Sequence, residues 1–163
     1  MKRILIDKDK CEGCKNCTFA CMNAHRPDRE AGKGSFYDLD LSDPRNEARH
    51  AIVNTVKGKY VPVFCRHCAV PDCVQACMSG ALKKDPVTGH VQWDEKRCGT
   101  CFMCVMSCPY GNCKPDRVTH SKVLKCDFCK GLTGTEDDEE KPSCVDSCPT
   151  KALHVEEVDG GYA

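Results

Sequence analysis

This sequence predicts an α+β fold of two small cysteine-rich units, one inserted within the other, and three observations lead to that reading. Of its 163 residues 17 are cysteine, and all but one of them fall into runs of four. Aromatic residues make up only 6% of the chain, so an ordinary apolar core is thin for this length and something else must hold the fold. Short strand-like stretches separate the runs and stand at both ends of the chain. The length leaves room for one domain or two small intertwined ones.

Disulfides and metal compete as the use of so many thiols. The odd count and the recurring C-x2-C spacing favour metal. Met1–Lys10 (MKRILIDKDK) has no apolar segment of the kind that exports a protein and no twin-arginine pair, and a cytoplasmic chain keeps its thiols reduced. The expected location is therefore the cytoplasm. With 24 basic and 24 acidic residues the formal charge is zero, which implies no nucleic-acid partner. No apolar run is long enough to span a membrane, so direct membrane insertion is not expected.

The most informative stretch is Cys98–Pro109, CGTCFMCVMSCP. Its spacing, C-x2-C-x2-C-x3-C-P, is that of bacterial ferredoxins, in which three close thiolates wrap one face of a [4Fe–4S] cube. The fourth is turned the other way and reaches a neighbouring cluster. Pro109 fixes φ and sends the chain away.

Taken in order, Lys2–Ile6 (KRILI) reads as a strand leading into the first run, Cys11, Cys14, Cys17 and Cys21, with Met22 where a proline would follow. Gly13 lies where a backbone hugging a cluster needs positive φ. A cysteine-free interval follows, with strands expected at Ala51–Val56 and Lys59–Phe64 around a turn at Lys57-Gly58. It reads as a solvated insertion covering cluster edges, with a partner-docking surface as the alternative. His25 and His67 are expected at the surface or beside the ligands rather than as ligands themselves.

The second run is Cys65, Cys68, Cys73 and Cys77, with a small loop at Pro71. Ser79–Leu82, the turn Asp85–Gly89 and His90–Trp93 form a hairpin into the third run, Cys98, Cys101, Cys104 and Cys108. Phe102, Met103, Val105 and Met106 lie between or beside its cysteines, as water-excluding or core side chains. Trp93 is expected to pack rather than relay electrons. Cys113 fits no group and reads as a buried spare thiol. The fourth run, Cys126, Cys129, Cys144 and Cys148, encloses a Gly-rich and acidic loop whose tip, Glu136–Glu140, is expected to be solvated. Lys151–Val158 then reads as a strand able to pair with Lys2–Ile6, bringing the first and fourth runs together.

Sixteen ligands in four groups predict four [4Fe–4S] clusters. Zinc is the rival, since it also uses C-x2-C pairs, but it usually joins two pairs across a longer gap. By the two-cluster rule the contiguous second and third runs exchange ligands: Cys65, Cys68 and Cys73 with Cys108, and Cys98, Cys101 and Cys104 with Cys77. By elimination the outer runs pair as Cys11, Cys14 and Cys17 with Cys148, and Cys126, Cys129 and Cys144 with Cys21. Residues 1–22 and 114–163 then form an outer unit, 65–113 an inner one, and 23–64 an insertion bearing a hairpin. The whole is two bacterial-ferredoxin-like units, one inserted within the other, organised around four [4Fe–4S] clusters.

From Cys11 to Pro149 the sequence resembles the four-cluster ferredoxin-type electron-transfer subunits: the B subunits of dimethyl-sulfoxide-reductase-type enzymes and the iron–sulfur subunits of formate dehydrogenase and hydrogenase. The stretches FCRHCAVPDCVQACMSGAL, KDPVTGHV, CFMCVMSCPYG and KCDFCKG look most like the carbon-monoxide dehydrogenase iron–sulfur protein. The resemblance implies an anaerobic electron-transfer subunit with no catalytic residue of its own. It would relay electrons between a catalytic subunit, carbon-monoxide dehydrogenase first, and a second redox protein such as a flavoprotein or hydrogenase. Formate dehydrogenase, hydrogenase and aldehyde oxidoreductase complexes are the alternatives, and a zinc-stabilised interaction module is the remote one. The chain lacks the long C-terminal extension of membrane-tethered relatives, which suggests a soluble complex.

Overall fold

The computed structural model describes residues 1–28, 35–54, 58–130, 132 and 141–158. The turn residue Lys57 and the acidic stretch Glu136–Glu140 lie outside the described residues.

Four two-stranded antiparallel ribbons, four α-helices and two single-turn 3-10 helices (Phe36–Asp38 and Glu95–Arg97) make up the regular structure of the described residues. The first ribbon joins the two ends of the chain: β1 (Lys2–Ile6) pairs with β8 (Leu153–Glu157), Lys2 opposite Glu157 and Ile6 opposite Leu153. The Met1 ammonium extends it by donating to the Val158 carbonyl at 3.1 Å. Ile4 and Ile6 alternate inward onto a buried group of Cys17, Phe64, Cys144 and Leu153, so period-2 patterning places this ribbon against cysteines of the first and fourth runs.

β2 (Ala51–Asn54) pairs with β3 (Tyr60–Val63); Thr55 and Val56, expected in the first strand, lie outside the described residues, and Lys59 and Phe64 flank the second strand. β4 (Leu82–Lys84) pairs with β5 (Val91–Trp93) around Asp85, whose carboxylate accepts the amides of Val87 and Thr88 at 2.9 and 3.2 Å. The last ribbon, β6 (Lys114–Pro115) with β7 (Val123–Leu124), is absent from the sequence reading. Two residues per strand are too few for periodicity to register. Its turn nonetheless repeats the previous one: DRVTH echoes DPVTG, and the Asp116 carboxylate accepts the Val118 amide at 2.9 Å. Gly89 and His120 close the two turns with φ of +71° and +50°.

Each helix carries the third cysteine of a run. α1 (Asn16–His25) holds Cys17, α2 (Asp72–Gln75) Cys73, α3 (Met103–Ser107) Cys104 and α4 (Ser143–Asp146) Cys144. The fourth cysteine always follows four residues later, one helical turn on, so third and fourth cysteines share a side of the helix or its end. α1 packs on α4, and α2 on α3. A second buried group, Leu82, Val91, Cys104, Cys113 and Val123, lies beside the α2–α3 pair, with Trp93, Phe102 and Val105 packed against it. Trp93 packs as expected, but the third run splits: Met103 is 46% and Met106 82% exposed. No helix among the described residues is long and apolar enough to cross a membrane.

Candidate iron–sulfur centres

The C-x2-C loops share one backbone conformation. The residue just before the second cysteine is left-handed in all four: Gly13 (φ +68°), His67 (+46°), Thr100 (+50°) and Phe128 (+63°). Only glycine adopts this conformation freely, so three non-glycine residues there mark backbone held in place by its surroundings. Alternating right- and left-handed residues turn successive amides toward one side, a concavity that receives an anion such as an iron–sulfur cluster. Lys15 (+63°), Phe102 (+56°) and Cys129 (+56°) continue the pattern beyond three of the loops.

The fourth cysteines are supplied with amide donors. Leu82 donates to Cys77 Sγ at 3.4 Å and Asn112 to Cys108 Sγ at 3.4 Å. The amide of Leu153 serves Cys148 in the position that Leu82 holds relative to Cys77. The hydroxyls of Ser79 and Thr150 lie 3.7 Å from the same two sulfurs. Cys21 receives its donor from far away, the Arg49 amide at 3.3 Å. Amides aimed at sulfur, on loops shaped for an anion, fit thiolate-held [4Fe–4S] clusters, which supply one-electron redox chemistry when bound. The residues around them fix the thiolates, exclude water and set the local charge.

Proximity among the thiols crosses between runs. Cys17 feels the charge of Cys14 and of Cys148, after burial, which is the main reason its thiol is pushed up to about 11. Burial likewise pushes Cys21 up to about 12, with Cys129 adding to it. Cys144 is raised by burial and then by Cys126, Cys21, Cys129 and Cys17. In the middle of the chain Cys68 is raised by burial and by Cys65, Cys73 and Cys108. Those four cysteines also line one cavity, together with Pro71, Tyr110 and Cys113. Cys77, Cys98 and Cys104 pack around the second buried group, while Cys14 and Cys101 are exposed. Cys11 is half-buried at the head of the first loop.

One buried and two half-buried lysines stand beside these loops. Lys125, 3% exposed, donates to the carbonyls of Val91 and Cys126 at 2.7 and 2.8 Å. Lys84 donates to those of Cys68 and Ala69 at 3.0 and 2.8 Å, and Lys114 to those of Ala48 and His50 at 3.2 and 2.9 Å. An ammonium group near a cluster favours the added electron, because reduction increases the cluster's negative charge.

Neither histidine singled out in the sequence is a surface residue. His67 is 2% exposed, its Nδ1 accepts the Val91 amide at 2.9 Å, and burial holds its pKa well below the usual imidazole value. The side chain of His25 is 5% exposed, with ring nitrogens facing the Cys21 carbonyl at 2.9 Å and the Asp127 carboxylate at 3.1 Å. Arg49 completes this arrangement by donating to Asp127 at 2.5 Å. Burial pushes the Asp127 carboxyl up, but the His25 hydrogen bond and the Arg49 guanidinium outweigh it and hold it at about 2. The ligand atoms of His25, Asp127 and Cys129 lie within 4.8 Å of one another. Arg49 and Asp127 escaped the sequence reading because nothing in their spacing links them to Cys21.

Comparison with known proteins completes the picture. Residues 56–158 match the family described as "4Fe-4S dicluster domain". The B subunit of the anaerobic dimethyl sulfoxide reductase of Escherichia coli K12 is 34% identical over 154 residues, covering 94% of this protein and 72% of that one. Hydrogenase-2 operon protein HybA of Escherichia coli O157:H7 is 32% identical, over 92% of this protein and 50% of its own length. The NADH-dependent phenylglyoxylate dehydrogenase subunit beta of Aromatoleum evansii is 33% identical, over 92% of this protein and only 29% of its own length. The chain thus spans less than a third of one of these relatives and about half of another. With the left-handed loops, the amide donors and the cysteine runs, these matches establish that this protein belongs to the 4Fe-4S dicluster family, as an iron–sulfur electron-transfer subunit with [4Fe–4S] cofactors.

Proposed function

We propose that this protein carries single electrons through four [4Fe–4S] clusters between a catalytic oxidoreductase subunit and a second redox protein such as a flavoprotein or hydrogenase. The clusters are held by Cys11, Cys14, Cys17 and Cys148; by Cys126, Cys129, Cys144 and Cys21; by Cys65, Cys68, Cys73 and Cys108; and by Cys98, Cys101, Cys104 and Cys77. The observation that carries this reading is the closeness of Cys148 to Cys17, of Cys21 to Cys129 and Cys144, and of Cys108 to Cys68.

The same neighbours suggest an order. Cys144 feels Cys17, Cys126 feels Cys65, and Cys73 feels Cys104, which links the four sites as first, second, third and fourth in a line. The exposed cysteines, Cys14 and Cys101, belong to the two ends, where electrons enter and leave. This arrangement makes 1–22 with 114–163 one ferredoxin-like unit and 65–113 the other, inserted within it. The α1–α4 and α2–α3 packings support that division.

The catalytic partner is carbon-monoxide dehydrogenase, supported by the stretches FCRHCAVPDCVQACMSGAL and CFMCVMSCPYG. A hydrogenase complex is the second reading, favoured by the match to a hydrogenase-2 operon protein. A reducing compartment, the cytoplasm, is the location this reading implies, supported by the many thiols that cluster ligation keeps reduced.

Iron and zinc analysis of anaerobically purified protein, with EPR after dithionite reduction, tests the reading. About sixteen irons per chain and interacting [4Fe–4S]⁺ signals are expected. Zinc in place of iron overturns it. Cys108→Ser is expected to damage the cluster of the second run, and damage confined to the third run refutes the ligand exchange. Anaerobic mixing with carbon-monoxide dehydrogenase and its substrate is expected to reduce the clusters. Reduction by hydrogenase and hydrogen alone would instead select the second reading.

A further inference from the structure

Two open strand edges face each other across a cleft of about 520 Å³. β1 pairs only with β8 and β3 only with β2, so each has a second edge that pairs with no other strand among the described residues. Residues 3–6 of β1 and 61–64 of β3 line the cleft consecutively. Strand edges do this, whereas a strand face presents only every second residue. The two edges run in opposite directions. Just beyond β1, Asp9 accepts from Lys59 Nζ at 3.0 Å, just ahead of β3. At the other end, His90 Nε2 lies 2.9 Å from the Lys2 carbonyl, and the His90 ring is 4.8 Å from that of His67.

What β1 offers the cleft follows from its ladder. Met1 and Val158 exchange two bonds, at 3.1 and 2.9 Å, and the Asp7 amide donates to the Ala152 carbonyl at 2.8 Å. Paired and unpaired positions alternate in an antiparallel ribbon, so Arg3 and Leu5 face β8. Ile4 and Ile6 turn their N–H and C=O groups to the open edge. β3 offers less, since Pro62 at its centre has no amide to give. An added strand therefore pairs with β1.

The charge of the cleft is one-sided. Besides the Cys65 thiol, the ionisable side chains lining it are Arg3, Lys8 and Arg66. Lys8 and Arg66 are exposed, and the Arg66 guanidinium stands 4.3 Å from the centre of the Tyr110 ring. Cations on an edge deter an identical edge, which argues against a second copy, and attract a strand that carries carboxylates. The surroundings point to the owner of that strand. Tyr60, the first residue of β3, packs directly on Gly13, and the exposed Cys14 comes next in the chain.

We propose that this cleft docks an extended acidic segment of the redox partner that exchanges electrons at Cys14. The segment adds a strand to β1, its backbone ladder giving affinity while its carboxylates meet Lys8 and Arg66. A partner anchored there stays beside the first cluster. The role given to Cys14 rests on the four-cluster reading above.

The probe is an acetylated and amidated peptide, Glu-Val-Glu-Val-Glu, as long as β1, added in excess to the anaerobic holoprotein. Residue-resolved hydrogen exchange is expected to show new protection of the Ile4 and Ile6 amides and none at Arg3 and Leu5. Lys8→Glu combined with Arg66→Glu, both at exposed positions, is expected to weaken binding about tenfold. The same peptide with every amide N-methylated keeps its charges, needs no altered protein, and is expected to give no protection. Excess peptide is also expected to slow cluster reduction by whichever of carbon-monoxide dehydrogenase or hydrogenase reduces this protein. Unprotected Ile4 and Ile6 at full iron content overturn the proposal, as does equal binding of Lys-Val-Lys-Val-Lys. Undiminished reduction with the cleft occupied overturns the link to the redox partner. Protection that grows with protein concentration alone assigns the cleft to a second copy and overturns the proposal too. Missing iron in the unmodified protein is a separate failure, that of the four-cluster reading.

Discussion

Gly80 and Lys151 occupy the same place in two copies of one turn. Each lies three residues after the fourth cysteine of its run and donates its amide to that cysteine's carbonyl, at 3.1 and 3.2 Å. Their φ values are +64° and +52°. Gly111 repeats the arrangement after Cys108, at 3.1 Å and +61°. A left-handed lysine is strained where a glycine is relaxed. Lys151→Gly is therefore expected to stabilise the protein by about 0.5–1 kcal/mol, and Gly80→Val to destabilise it by about 1–2 kcal/mol. An added Cβ at Gly80 meets nothing closer than 3.5 Å, so the cost comes from the backbone and not from a clash. Denaturant titration followed by visible cluster absorbance measures both.

Gly13 poses a different constraint. A Cβ there would lie 2.2 Å from a ring carbon of Tyr60 and 2.8 Å from its Cβ, too near the backbone for the tyrosine to swing clear. Gly13→Ala combines this clash with a φ of +68° and is expected to cost about 2–4 kcal/mol. The cluster of the first run should be lost first, read as iron per chain and as the missing EPR component. Adding Tyr60→Ala is expected to recover the steric part only.

Arg49 joins two functions on one residue: its amide serves Cys21 and its guanidinium holds Asp127. Arg49→Ala keeps the amide and removes the guanidinium's bonds to Asp127 and to the Lys125 carbonyl, leaving a half-buried carboxylate with His25 and the Cys129 amide. The pair is about a quarter exposed on each side, so solvent screening limits the cost to about 1–2 kcal/mol at neutral pH. Asp127 sits at about 2 when folded and so contributes stability above its ordinary value of 3.8 that is lost as pH falls toward 2. Asp127→Asn should remove that dependence, measured as cluster release against pH.

His50 sets a second acid limit. Burial first, then the charges of Lys114 and His25, lower its pKa from 6.5 to about 4. The ring stacks on Phe64 at 4.3 Å between centroids, next to the cysteines of the second run. Between these two pKa values the folded protein binds fewer protons than the unfolded one. Stability is thus full above pH 6.5 and falls as pH drops through the window toward 4, by about 3 kcal/mol at most. His50→Gln is expected to flatten this slope in unfolding titrations between pH 7 and 4, and an unchanged slope would assign the acid sensitivity elsewhere.

Much of this was legible in the residues. Cys98–Pro109 announces its chemistry because ligand spacing is a local property: three residues of chain span one edge of a cluster whatever the rest of the protein does. The same locality explains why Lys2–Ile6 was readable as a strand, and why Leu153–Glu157 lies within the strand expected from alternation at Lys151–Val158. It explains too why Asp85–Gly89 was readable as a turn, from its Asp, Pro and Gly. The β6–β7 ribbon was missed because two residues per strand carry no period, although DRVTH repeats DPVTG closely enough to have been recognised.

By itself, then, the sequence determined the cofactor class and the electron-carrying role, since both follow from how many thiols stand at which short intervals. Tertiary structure alone decided what lies beside those thiols. It brought the Arg49 amide to Cys21 across 28 residues, buried His25 and His67, set Cys65 near Cys126, and put Cys113 among Cys73, Cys104 and Cys108. These neighbours come from separate elements packed together. Their juxtaposition depends on how helices and ribbons stack, and no spacing along the sequence encodes it.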